Sequence, residues 1–279
     1  MTETPMPIVV GVDGSGSALD AVDWAADDAA RRRAELRIVT VRDPDLAFPG
    51  QSDDADRASL AAAAARAGER LPDLTATTEL LTGEVIGTLL EAAAAAQAVV
   101  IGHRGVGGFV GQLLGSVGLG LAGHTPGPLV VARGRVGADR GEIVAGFDGS
   151  PHSEAAMRYA FEAARLRSAR LRVVYAWPMP VSSPLAFGYR GRLAGVFDDL
   201  AESAAIRLAP WRERNPDVEV IDDAIGGHPV PALIAASTAA DLVVVGSRGR
   251  RAFRAAVLGS VSHGVLLHAE CPVAVIGSR

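Results

Sequence analysis

Two short stretches of the chain nearly repeat each other and decide the fold: VVIGHRG at residues 99–105 and VVVGSRG at residues 243–249. Each is a run of β-branched apolar residues that ends in glycines. A short, uniformly apolar run of this kind predicts a strand buried on both faces, as in a parallel sheet covered by helices. The glycines predict a tight loop at the carboxyl end of that strand.

The likeness extends outward from these stretches in both directions. LGSV recurs at residues 114–117 and 258–261 with the same offset of 144 residues. IVVGVDGS at residues 8–15 recurs as IVAGFDGS at residues 143–150, with an offset of 135. The chain is therefore a tandem repeat. We expect one domain at residues 1–133, a glycine-rich linker at residues 134–141 and a second domain at residues 142–279, with nine extra residues of the second repeat inserted between Pro178 and Gly195.

Within each repeat, apolar runs alternate with segments of helical spacing. Strands are predicted at residues 8–12, 36–41, 75–81, 98–101 and 129–132, and again near 142–147, 171–176, 218–224, 242–245 and 273–276. Helices of the first repeat are predicted at residues 18–33, 55–71, 85–96 and 112–124, with Ser17 as the N-cap of the first. This alternation predicts an α/β protein with two open parallel five-stranded sheets, right-handed crossovers and helices on both faces.

Composition excludes several classes of function. The formal net charge is −5, and nothing suggests the clustered positive charge that a nucleic-acid partner requires. All 27 basic residues are arginines, which excludes the P-loop lysine and the β3 lysine of kinases. The N-terminus shows no signal pattern and no apolar run is long enough to cross a membrane. We therefore expect a cytoplasmic protein with a small-molecule ligand and no nucleic-acid or membrane partner.

Two smaller features have ordinary structural interpretations. The single cysteine, Cys271, precedes a proline and an apolar run, and we expect a buried structural thiol. Three consecutive arginines at residues 31–33 end the first predicted helix. We interpret them as a cationic C-terminus stabilised by the helix dipole rather than as a phosphate site.

The pattern that points to chemistry is Gly-x2-Gly-x9-Gly-Ser, which occurs once in each repeat. Its members are Gly102, Gly105, Gly115 and Ser116, and then Gly246, Gly249, Gly259 and Ser260. Bare backbone amides and a helix N-terminus suit a phosphate group, and serine adds a hydroxyl donor. The alternative is that the glycines only allow tight turns and close helix–sheet packing. Ligands of open parallel sheets bind at the carboxyl edge, where strand order reverses, and Asp13 and Asp148 are expected to face that crevice.

Together with VDGS near the start and CPV at residues 271–273, this pattern resembles the ATP-binding branch of the universal stress protein family. The resemblance implies a Rossmann-like sheet of order 3-2-1-4-5, similar to that of adenine nucleotide alpha hydrolases. It implies an adenine nucleotide, ATP with or without Mg²⁺, held beside the aspartate, the end of strand two and the glycine loop. The residues implied are Val12, Asp13, Val41, Gly102, Gly105, Gly115, Ser116 and Val117 in the first repeat, and Phe147, Asp148, Ala176, Gly246, Arg248, Gly249, Gly259, Ser260 and Val261 in the second.

The same resemblance implies pairing through the last strand, either between the two repeats of one chain or in a homodimer. The loop of the second repeat carries four arginines, at residues 248, 250, 251 and 254. Either its site differs from the first in affinity or charge preference, or the arginines form a solvated basic loop. No positioned general base or activated nucleophile is evident. We therefore expect a nucleotide-dependent regulator. The alternatives are a slow Mg²⁺-dependent ATPase, an AMP- or cyclic-nucleotide-binding module, and a family member that acts through protein contacts.

Overall fold

The computed structural model describes residues 5–45, 52–105, 114–134, 136–137, 139–177, 190–249 and 258–277; side chains are described for these except at residues 177 and 190–201. In the first repeat the elements are β1 (Ile8–Gly11), α1 (Gly16–Arg32), β2 (Leu36–Arg42), α2 (Asp53–Arg70), β3 (Ala76–Thr82), α3 (Val85–Ala94), β4 (Ala98–Gly102), α4 (Ser116–Leu121) and β5 (Leu129–Ala132). In the second they are β6 (Glu142–Phe147), α5 (Pro151–Arg167), β7 (Arg170–Trp177), α6 (Arg190–Arg214), β8 (Val220–Gly226), α7 (Pro229–Ser237), β9 (Leu242–Gly246), α8 (Ser260–His268) and β10 (Val273–Ile276).

The strands form one sheet of ten, in the order β3-β2-β1-β4-β5-β10-β9-β6-β7-β8. Each half has the predicted order 3-2-1-4-5, and pairing within each half is parallel. The halves join where β5 and β10 pair antiparallel, with Val131 opposite Val273 and Leu129 opposite Val275. The two repeats therefore pair through their last strands within one chain.

Helices cover both faces of this sheet, as the alternation of elements predicts. On one face, residues of α1, α2 and α5 pack on the strands; on the other, residues of α3, α4, α7 and α8 do so. Each apolar layer contains residues of both repeats, so the core is continuous across the junction. Cys271 belongs to the second layer and is fully buried, and burial raises the pKa of its thiol to about 12. The expected buried thiol is confirmed.

One predicted helix is much shorter than expected. Helical spacing suggests residues 112–124, but α4 spans only Ser116–Leu121, and residues 112–113 lie outside the described part of the chain. Leu114 and Gly115 precede the helix, and Gly123 has φ +84°, a conformation that glycine adopts without strain and that ends helical geometry. His124 consequently lies beyond the helix, where its Nδ1 is 2.9 Å from the carbonyl oxygen of Gly120.

The predicted linker contains three sharp bends. Gly134, Gly137 and Gly141 all have positive φ, between 63° and 79°. An added Cβ at Gly134 would lie 1.9 Å from the carbonyl oxygen of Glu270, so the chain leaves β5 in close contact with the loop before β10. The predicted insertion between residues 178 and 195 lies largely outside the described residues.

Candidate functional site

Asp13 and the glycine loop of the first repeat lie side by side at the carboxyl edge of the sheet. β1 pairs with β2 on one side and β4 on the other, so the strand order reverses there. An ideal Cβ on Gly105 would be only 2.5 Å from Asp13 Oδ2. The second repeat has the same arrangement, with a Cβ on Gly249 2.8 Å from Asp148 Oδ2. The aspartates and the second glycine of each loop are thus brought together as the sequence predicts.

Each aspartate also organises the start of the helix that follows it. Asp13 Oδ1 accepts a hydrogen bond from the Ser15 amide at 3.0 Å, and Asp148 Oδ1 accepts one from the Ser150 amide at 2.9 Å. Ser15 and Ser150 are in turn the N-caps of α1 and α5. The sequence signal for this turn is Asp-Gly-Ser, in which the aspartate bonds the backbone two residues later.

The prediction that Ser17 caps the first helix is wrong, because α1 begins at Gly16 and its cap is Ser15. The hydroxyl of Ser17 instead donates to the carbonyl oxygen of Arg104, and the Arg104 amide donates back to it at 3.3 Å. Ser17 therefore joins the first turn of α1 to the glycine loop. Its counterpart in the second repeat is His152, and burial, together with the nearby Arg248, lowers the pKa of that imidazole.

The first glycine of each loop has a packing role. A Cβ on Gly102 would lie 2.6 Å from the backbone carbon and oxygen of Ser17, and one on Gly246 would lie 2.7 Å from the backbone carbon of His152. Neither contact can relax without moving the helix. At these two positions the packing explanation for glycine is therefore sufficient by itself.

The third glycine differs. Gly115 and Gly259 are the N-caps of α4 and α8, with ordinary φ values of −72° and −74°. The nearest atom to a Cβ on Gly115 would be 3.8 Å away, and on Gly259 3.4 Å. Neither packing nor backbone strain therefore explains why these two positions are glycine.

A glycine cap also provides no side-chain acceptor for the first amides of a helix, which need a partner. The caps of α1, α2, α3, α5 and α7 all accept such a bond through a side chain, whereas those of α4 and α8 do not. Among the helices whose N-cap is described, only the two that follow a glycine loop begin this way. Ser116 and Ser260, the first residues of these helices, are exposed.

The remaining predicted residues lie at the same edge of the sheet. Val41 and Ala176 are each one residue from the carboxyl end of β2 and β7, and both are half-buried. Val12 is buried, its amide donates to the Val39 carbonyl at 2.8 Å, and its own carbonyl accepts from Thr40 Oγ1 at 3.0 Å. Phe147 is buried against Tyr175, with ring centroids 6.2 Å apart. The backbone amide and carbonyl of Val12 are thus both hydrogen-bonded within the protein.

The two loops differ in what surrounds them. His103 in the first repeat corresponds to Ser247 in the second, and burial, with Arg104 and Arg133 nearby, lowers the pKa of His103. Residues 106–113 and 250–257, including three of the four arginines expected near the second site, lie outside the described residues. Among the described residues, no group of three acidic, histidine or cysteine side chains is placed to hold a metal ion.

Comparison with known proteins identifies the family. The model of the "Universal stress protein family" matches residues 5–133 and again residues 140–277. The chain belongs to the universal stress protein family. Universal stress protein Rv1996 of Mycobacterium tuberculosis is 33% identical over 304 residues, covering 98% of this chain and 95% of the relative.

Solved structures agree on the fold of this universal stress protein. The crystal structure of a universal stress protein from Archaeoglobus fulgidus covers 98% of both chains with a TM-score of 0.64 at 18% identity. The crystal structure of protein PA1789 from Pseudomonas aeruginosa covers 98% of this chain and 93% of its own, with a TM-score of 0.67 at 16% identity. In the described residues, no helix is both long and apolar enough to cross a bilayer.

Proposed function

We propose that each repeat binds an adenine nucleotide, ATP in the first instance, at the carboxyl edge beside Asp13 and Asp148, and that the protein is a nucleotide-dependent regulator in the cytoplasmic stress response. The observation that carries this proposal is the glycine cap of α4 and α8. No cap side chain accepts a hydrogen bond from the first amides of these two helices. Those amides lie next to an exposed serine, in the loop that contacts the aspartate.

The residues present fit a nucleotide. The amides at the start of α4 and α8, with Ser116 and Ser260, would hold phosphates, since a helix N-terminus combines free donors with partial positive charge. Val41 and Ala176 would lie beside the base, and Asp13 and Asp148 beside the ribose. When bound, the nucleotide would supply the regulatory signal by stabilising the loops that contact it.

The test uses a substitution that separates binding from folding. Ser116→Asp and Ser260→Asp each place a carboxylate at the first position of a helix, where it stabilises the helix dipole but repels a phosphate. Isothermal titration with ATP should give two sites per chain for the wild type and one for each variant. Ser116→Ala and Ser260→Ala are the matched controls, and each should retain both sites with a modest loss of affinity.

Two results would overturn the proposal. One is a wild type that takes up no ATP, AMP or cAMP at millimolar concentration. The other is a Ser116→Asp, Ser260→Asp double variant that still binds two ATP with unchanged affinity. Mass spectrometry of the small molecules released when purified protein is denatured identifies which nucleotide is carried, and incubation of that nucleotide with the protein measures any hydrolysis.

A further inference from the structure

A cavity lies at the junction of the two repeats. Its volume is about 470 Å³, a size typical of small-molecule sites. Repeat 1 contributes His103, Arg104, Arg133 and Gly134, and the linker and repeat 2 contribute Arg140, Thr238, Ala269 and Glu270. It exists because β5 and β10 run antiparallel, which sets the carboxyl edge of the first repeat against the amino edge of the second. Asp13, at the carboxyl end of β1, does not line it.

The charge of this cavity is strongly positive. Among the described residues, three guanidinium groups line it against one carboxylate, that of Glu270, and the imidazole of His103 adds a further polar group. Elsewhere in the described chain most arginines near the interior pair with carboxylates; for Arg104, Arg133 and Arg140 the described residues provide no ion pair. Arg133 and Arg140 donate instead to backbone carbonyls, of Leu266 and, at 3.0 Å, of Ala240.

Two polar atoms of this cluster are left without a partner. Neither His103 Nδ1 nor Arg133 Nε is accessible to solvent, and neither has a hydrogen-bond partner within the described chain. Burial lowers the pKa of the Arg133 guanidinium, and the charge of Arg104 lowers it further. An anion between Arg104 and Arg133 would offset the repulsion between the two guanidinium groups, because it carries the opposite charge.

We propose that this junction cavity binds a small phosphate-bearing anion, held by Arg133, Arg104 and His103 from the first repeat and by Arg140 from the linker. Planar guanidinium groups suit phosphate because they donate two parallel hydrogen bonds to it. The phosphate belongs either to a separate anion or to the terminal phosphates of a nucleotide seated in the first crevice. In both cases the ligand contacts both repeats and so couples them.

The second repeat provides the control sequence. Its equivalents of His103 and Arg133, at the offset of 144, are Ser247 and Gly277. His103→Ser and Arg133→Gly therefore convert the cavity to residues that the same fold already accommodates. Arg104→Gln is a variant with little risk to folding, because Arg104 is exposed. Arg165→Gln, which removes an exposed arginine of α5 paired with Asp217, is the control for general loss of charge.

The experiment is titration with sodium pyrophosphate at low ionic strength, with thermal unfolding to verify that each variant is folded. We expect Arg133→Gly, His103→Ser and Arg104→Gln each to bind pyrophosphate at this site at least about tenfold more weakly than wild type and Arg165→Gln do. If saturation with ATP leaves pyrophosphate binding unchanged, the ligand is a separate anion. If ATP abolishes it, and Arg133→Gly also weakens ATP, the terminal phosphates occupy the cavity.

The proposal is overturned if wild type binds no pyrophosphate up to about 10 mM, or if Arg133→Gly and Arg104→Gln bind it as well as Arg165→Gln does. These outcomes differ from failure of the nucleotide proposal. That proposal is tested at Ser116 and Ser260, neither of which lines the junction cavity.

Discussion

Gly102 and Gly115 belong to one loop, yet a methyl group would have very different surroundings at each. At Gly102 it would collide with the backbone of Ser17, whereas at Gly115 no other atom would lie closer than 3.8 Å. The spacing of glycines in the sequence correctly predicts where the loop lies. It cannot distinguish a glycine that packs from one that faces a ligand, since that depends on α1, a helix far earlier in the chain.

The two glycines therefore predict opposite phenotypes. Gly102→Ala should lower the free energy of unfolding by about 1–3 kcal/mol, the usual cost of overpacking against backbone, whether or not a nucleotide is present. Gly115→Ala should leave the stability of the ligand-free protein within about 0.5 kcal/mol of wild type but weaken ATP binding in the first repeat. Urea denaturation and ATP titration measure the two effects separately.

Gly246 and Gly259 are the matched pair in the second repeat and should behave in the same way. Equal destabilisation by Gly102→Ala and Gly115→Ala would mean that both glycines are structural. The glycine caps of α4 and α8 would then no longer support a phosphate site.

The strands were predictable almost in full, and the helices less so. Predicted strands at residues 129–132, 142–147 and 273–276 match β5, β6 and β10 at both ends. β5 and β10 are apolar throughout, as strands covered by helices on both faces are, and β6 is apolar after Glu142. The sequence overestimates the length of α4 because the leucines around Gly118 and Gly120 keep helical spacing. The turn at Gly123, which follows α4, does not interrupt the apolar pattern, so the pattern does not show where the helix ends.

The pairing of β6 with β7 depends on a carboxylate that the sequence does not single out. Glu142, the first residue of β6, is 2% exposed and bonds the guanidinium groups of Arg170 at 2.6 Å and Arg172 at 2.8 Å. Burial alone would raise the pKa of Glu142, but the bonds to Arg172 and Arg170 outweigh it and the pKa falls below its ordinary value of 4.5.

This carboxylate makes stability depend on pH. Since its pKa is lower in the folded chain than in the unfolded chain, its contribution is complete above about pH 4.5 and is lost as the pH falls through the folded value. Glu142→Gln should therefore cost about 1–3 kcal/mol at pH 7, and the difference from wild type should shrink below pH 4.5.

Denaturant unfolding of both proteins between pH 3 and pH 7 measures this. Glu79→Gln is the control, because Glu79 bonds Arg37 across β2 and β3 in a similar way but is largely exposed. That substitution should cost less than about 1 kcal/mol at any pH. A constant difference between Glu142→Gln and wild type down to pH 3 would contradict the prediction.

The two repeats are joined by charged helices as well as by the β5–β10 pair. Arg32 of α1 lies over the ring of Tyr159 in α5, and Arg167 of α5 lies over the ring of Trp24 in α1, both at 5.4 Å from the ring centre. The two contacts are related by the 135-residue repeat. The sequence places Arg32 at a cationic helix end, but it is buried between the repeats, and the pattern along α1 alone does not predict its contact with Tyr159.

Asp28 is the carboxylate on which this junction depends. It is fully buried and bonds Arg32 and Arg167, each at 2.7 Å. The corresponding position of the second repeat is Ala163, so one carboxylate serves both arginines. Removing one member of a buried ion pair is costly because the remaining charge stays buried.

Asp28→Asn should therefore lower the free energy of unfolding by about 3–5 kcal/mol, and should do so by loosening the contact between repeats rather than either repeat alone. Trp24 lies at the junction, and its fluorescence is isolated by replacing Trp177 and Trp211 with phenylalanine in all proteins compared. It should change at a lower urea concentration than far-ultraviolet circular dichroism, which reports on both repeats. Wild type should show one coincident transition by both probes.

The neighbouring residue provides the control. Asp27 pairs with Arg70 on the surface of the first repeat, so Asp27→Asn should cost less than about 1 kcal/mol and keep the two probes coincident. If Asp28→Asn instead lowers stability with both probes still coincident, Asp28 stabilises the chain as one unit and the repeats do not separate first. If it costs no more than Asp27→Asn, the ion pairs of Asp28 contribute nothing measurable, and the continuous apolar layers and the β5–β10 pair hold the repeats together without them.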